Sequence, residues 1–145
     1  MTTDSLISTA SVISGFSVAV LMFRISREVA MEEKDQKKWI PWADYLILSV
    51  ILLSLLFVVL PLCSISTNHH PHVMALASAS CGASTILLAA YPFAILDHYR
   101  IGVGSKRTKP RERGEPIEKF IVISSLILAS GTFGVLIASR WNVVA

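Results

Sequence analysis

Four long apolar runs, at about residues 5–23, 43–65, 73–96 and 120–139, alternate with two dense basic stretches, and nothing else in the chain limits its fold as tightly. A hydrocarbon core about 30 Å thick takes about 20 apolar helical residues to cross. Each run reaches that length with no charge in its middle. Lipid offers no partner to a backbone N–H or C=O, so a spanning segment must pair its own backbone as a helix. The reading is an all-α membrane protein: four transmembrane helices in an antiparallel bundle, forming a single domain over 1–145. Its 53% hydrophobic content suits that class, and the connectors leave no room for a separate soluble domain.

The basic residues set the expected orientation. Of the 13 Lys and Arg, Arg24, Arg27, Lys34, Lys37 and Lys38 fall in the connector 24–42. Arg100, Lys106, Arg107, Lys109, Arg111, Arg113 and Lys119 fall in 97–119, and only Arg140 lies on the other side. Such a bias keeps basic loops cytoplasmic, which predicts an N-out/C-out topology. The net charge of +3 then reflects topology and contact with anionic lipid rather than nucleic-acid binding. In the first 25 residues the charges follow the apolar run, the reverse of a signal peptide, so an uncleaved first span is expected.

Aromatic and helix-breaking residues refine the map. Trp39, Trp42 and Tyr45, then Tyr91, Phe93 and Tyr99, are expected at the inner interface, and Trp141 at the outer one. No Gly or Pro interrupts Arg24–Asp35, and Arg24/Glu28 and Glu33/Lys37 are spaced for i,i+4 pairing, so span one should continue as a helix to about Asp35. Pro61 should disturb span two near its outer end, and Pro92 should kink span three near its inner end. Glu115-Pro116 with Glu118 reads as the start of span four. Span two is rich in Leu, Ile and Val and reads as lipid-facing. At the expected inner boundary Asp97 can pair with Arg100, or Asp44 with Arg24.

Small residues are the best lead to function. Span one reads Ser11-xxx-Gly15-xxx-Ala19, with Ser8, Ser14 and Ser17 nearby. Span three carries a nearly continuous small surface that includes Ser78 and Gly82, and span four reads Ser130-xxx-Gly134-xxx-Ala138. Small residues at four-residue spacing let helix backbones approach closely where lipid removes the usual hydrophobic drive. They can serve packing inside one subunit, packing between subunits or, through the hydroxyls, a polar pathway.

Other candidates are weaker in chemistry. His69, His70 and His72 could grip a divalent metal ion, but Pro71 stiffens the run and no carboxylate adjoins it. Cys63 and Cys81 form no CxxC motif and imply no disulfide. Proton-coupled exporters use mid-membrane acids, and intramembrane proteases and zinc enzymes use Ser/His, Asp/Asp or HExxH arrangements. The spans carry none of these, and the chain has no Gly-rich phosphate loop. The expectation is therefore no enzyme and no cofactor.

The run Ser14-Gly15-Phe16-Ser17-Val18-Ala19-Val20 looks like the pore-helix segment of Orai-type calcium channels. The resemblance covers under a tenth of the chain. The pore-lining acid such a channel would place below the run is missing here. The asymmetry between the small-residue spans one, three and four and the Leu-rich span two, rather than this resemblance, predicts a small homo-oligomeric, channel-like or pore-forming subunit embedded in a lipid bilayer. Its compactness suits a bacterial inner membrane. The alternative is a non-catalytic structural or regulatory subunit. It would recruit a cytoplasmic protein, or bind anionic lipid, through Lys106, Arg107, Lys109, Arg111 and Arg113.

Overall fold

The computed structural model describes residues 2–35, 42–64, 71–98 and 116–144. All of them but Thr2 are helical. Helix α1 covers Thr3–Asp35. The second span is α2, Trp42–Ser54, a π-helical segment Leu55–Val59, and α3, Leu60–Ser64. Helices α4, Pro71–His98, and α5, Pro116–Val144, complete the chain. Four segments are long and apolar enough to cross a membrane: Thr3–Arg27, Trp42–Ser64, Pro71–Leu96 and Ile117–Ser139. The chain has the character of a multi-pass integral membrane protein.

Local chemistry accounts for the ends. The Thr2 hydroxyl accepts the Ser5 N–H at 3.3 Å, and the Leu6 N–H donates to the Thr2 carbonyl at 3.1 Å, which satisfies donors that a helix start leaves open. Helix α1 runs past the hydrophobic stretch to Asp35, the expected end of the charged extension. Helix α5 opens on Pro116 with Glu118 in its first turn. Pro fits there because its missing N–H would have no intrahelical partner.

Pro61 explains the irregularity in span two. Its ring would clash with the carbonyl four residues back, Phe57, and it has no N–H to donate. The chain widens to π-winding over the turn before it, and the Leu60 N–H reaches back to the Leu55 carbonyl. Pro92 lies inside α4, where the same missing donor frees the Leu88 carbonyl.

Helix α4 sits at the centre and packs against α1, α2 and α5, while α1 and α5 flank the α2–α4 pair and do not pack closely on one another. The ends are matched by specific contacts. Thr3 at the start of α1 donates to the Met74 sulfur at the start of α4, and Arg24 meets Asp44 at the start of α2. The core combines Ala77, Ala83 and Ala94 of α4 with larger side chains such as Leu46, Ile47 and Val50 of α2. Span two is thus not simply the lipid-facing helix its composition suggests: one side of α2 is fully enclosed while Tyr45, Leu48 and Leu52 stay outside. In lipid a Leu-rich surface is as content against a helix as against acyl chains, so richness in Leu does not say which it meets.

Candidate functional site

Three sets of side chains stand out: a charged clasp at one end of the bundle, hydroxyls enclosed in its middle, and small-residue faces turned outward. In the clasp, Arg24 of α1 is only 4% exposed and its Nε lies 3.2 Å from Asp44 Oδ1 of α2. Glu118 of α5 is 1% exposed and accepts the Ala43 N–H at 3.0 Å through Oε1. That carboxylate stands in the first turn of its own helix and also caps α2. It therefore meets the positive ends of two helix dipoles and satisfies a donor that apolar surroundings would leave unpaired. Lys119 places its Nζ 5.4 Å from the Trp42 ring centre, within cation–π range. The Trp42 and Tyr45 rings are tilted together at 6.0 Å. Three helices are thereby tied at one level.

The small residues divide by helix. In α1, Ser8, Ser11, Gly15 and Ala19 face outward, whereas Ser14 and Ser17 are buried. In α5, Ser130, Gly134 and Ala138 face outward beside Gly131. A Cβ added at Gly15, Gly131 or Gly134 would meet nothing within 4 Å. In α4 the small residues turn inward: Ala77, Ala79, Ser80 and Ser84 are enclosed, and Ser78 and Gly82 are half-buried. A Cβ at Gly82 would come within 3.1 Å of Leu136 Cδ1 of α5. Glycine there permits close approach inside the subunit; in α1 and α5 the same residue type meets no neighbouring helix among the described residues.

His72 is exposed, and His69 and His70 lie outside the described residues. No group of three metal-capable side chains occurs among the described residues. Lys106, Arg107, Lys109, Arg111 and Arg113 also lie outside them, as do Trp39 and Tyr99. Tyr91 is enclosed among the helices, while Phe93 on the same helix is exposed. Cys81 is buried and Cys63 exposed, and neither is in a disulfide.

Sequence reasoning missed two features. One is the role of Glu118 as a cap for a different helix; its unusual position at the edge of an apolar run was the available signal. The other is the convergence of Ser54, the only hydroxyl between Ser49 and Ser64, with Ser84. Their oxygens lie 3.2 Å apart in the interior. Comparison with protein families, characterised proteins and solved structures finds no match to this chain. The functional reading therefore rests on the geometry.

Proposed function

We propose that this chain is the subunit of a homo-oligomeric, channel-like membrane protein, an antiparallel four-helix domain with both termini outside and both basic connectors in the cytoplasm. The carrying observation is the pair of outward small-residue faces, Ser8/Ser11/Gly15/Ala19 on α1 and Ser130/Gly134/Ala138 on α5. They lie on the two helices that flank the α2–α4 pair. Two different faces on one subunit suit a head-to-tail contact, which closes into a ring when the rotation permits. Small-xxx-small surfaces are the means by which helices associate in lipid. Around such an axis several copies of Ser8 and Ser11 supply hydroxyls that one copy could not arrange alone. The proposed passenger is a small polar or ionic species, the membrane a bacterial inner membrane, and no reaction is assigned to the chain.

The test is flux. Full-length protein reconstituted in liposomes at known density should release a trapped small ion or polar solute, and Gly134→Ile, which fills the α5 face, should abolish release. Sealed liposomes containing intact oligomers would overturn the channel reading. They would favour instead the non-catalytic subunit that recruits a partner through the 100–119 connector.

A further inference from the structure

The second span changes its winding part-way along, and its buried residues show what the change does. In α2 the enclosed side chains are Ala43, Leu46, Ile47, Val50 and Ser54. At about 100° per residue they lie within about 60° of one line along the helix. Regular winding continued past Ser54 would bring Phe57 and Pro61 back near that line and carry Leu62 about 100° away from it. The structure has the opposite. Val58 and Leu62 are enclosed, while Phe57 is 41% exposed. The π-helical segment Leu55–Val59 makes the difference. Its bond from the Leu60 N–H to the Leu55 carbonyl reaches back five residues, where an α turn reaches back four. Everything beyond it is therefore set back by about one residue, or about 100°.

Three features keep the regular winding within reach. First, Pro61 has no N–H, so in either winding one carbonyl faces it without a donor: Leu56 in the π form, Phe57 in the α form. Backbone pairing thus gives the α form less than its usual advantage. Second, every residue from Leu55 to Leu62 is apolar. Lipid receives a Leu or a Phe as readily as a helix surface does, so enclosing Leu62 rather than Phe57 holds the tip only weakly. Third, among the described residues α3 packs closely on no helix outside its own span except α4, whereas α2 packs on α1, α4 and α5. Helix α2 is also fixed at both ends, by Asp44 in the clasp and by the 3.2 Å hydrogen bond from Ser54 to Ser84. A change of winding therefore begins immediately after Ser54.

We propose that the segment from Leu55 to Ser64 is a two-position switch built into the subunit. In one position the π turn holds Val58 and Leu62 against the bundle. In the other the segment winds as a regular α-helix, the tip Leu60–Ser64 turns by about 100°, and Phe57 and Pro61 take the inner places. The exchange moves no charge and no hydroxyl of α2; it trades apolar groups between lipid and the face of α4. Small helix rotations at packed contacts are a recurrent means of switching, and π turns recur at functional sites. The device lies within one copy of the chain and is independent of the assembly proposed above.

Magic-angle-spinning NMR on full-length protein, carbon-labelled at Phe and Leu and placed in liposomes doped with nitroxide-labelled lipid, tests this. Lipid-facing side chains are broadened by the nitroxide and enclosed ones are spared. Phe57 and Leu62 should each show two signals, or one averaged signal whose broadening changes with temperature, and the two residues should respond in opposite senses. Phe57 fully broadened and Leu62 fully spared at every temperature would overturn the switch. Pro61→Ala restores a donor to the Phe57 carbonyl in the α form, so it should reverse the pattern, sparing Phe57 and broadening Leu62. A Pro61→Ala protein with the wild-type pattern would equally count against the proposal, and the wild-type measurement stands alone if that variant fails to fold.

Discussion

Helices α4 and α5 are both rich in small residues, yet 44% of the apolar window of α4 is buried within the subunit and only 11% of that of α5. Gly82 of α4 is closed over by Leu136, while Gly134 of α5 faces open space. The difference teaches that small residues at helical spacing report the capacity for close approach and not the identity of the neighbour. In α4 the neighbour is the rest of the chain. In α5, and on the outer face of α1, the neighbour is another copy under the function proposed here.

Four substitutions sharpen or break that contrast, ordered by their effect on the stability of the subunit. Asp44→Ala removes a carboxylate that pairs with buried Arg24. It should destabilise the subunit by about 3 kcal/mol, the range for breaking a buried pair by removing one member, seen as the largest fall in thermal midpoint in lipid. Gly82→Ile drives side-chain volume into the α4–α5 contact and should destabilise by about 1–3 kcal/mol, as overpacked cores do. A midpoint unchanged from wild type would show that contact to be looser than the structure has it. Ser54→Ala removes the hydroxyl that donates to Ser84 and should lower stability by about 1 kcal/mol. Gly134→Ile should change the stability of the dissociated subunit by no more than about 0.5 kcal/mol, since a Cβ there meets nothing within 4 Å among the described residues. It should nevertheless dissociate the assembly, which size-exclusion with light scattering would reveal. If Gly134→Ile lowers subunit stability as far as Gly82→Ile does, the distinction between inner and outer faces fails.

The spans were plainly legible in the sequence. The expected runs 5–23, 43–65, 73–96 and 120–139 differ by a few residues from the segments Thr3–Arg27, Trp42–Ser64, Pro71–Leu96 and Ile117–Ser139. Length and apolarity are what the bilayer demands, so the chain displays them openly. The faces were harder to read. In a soluble protein, polarity separates the outside of a helix from its inside. In lipid both sides are apolar, so the periodic signal vanishes. That is why span two read as lipid-facing although Leu46, Ile47 and Val50 are enclosed. It is also why Ser11 and Ser14, three residues apart in the same helix, gave no hint that one faces out and the other in. The clasp was half legible: Arg24 with Asp44 was one of two pairings the inner boundary allowed, beside Asp97 with Arg100, and the structure brings Arg24 and Asp44 together. The partner of Glu118 was not, because capping a second helix is a tertiary contact that no local spacing encodes.

The central claim is that the outward faces of α1 and α5 meet other copies of the chain. Native mass spectrometry of the full-length protein, released from lipid nanodiscs without detergent, addresses it most directly. The account predicts a single closed species at an integer multiple of the chain mass, converting to monomer in Gly134→Ile. A wild-type protein that flies only as a monomer from lipid would contradict it.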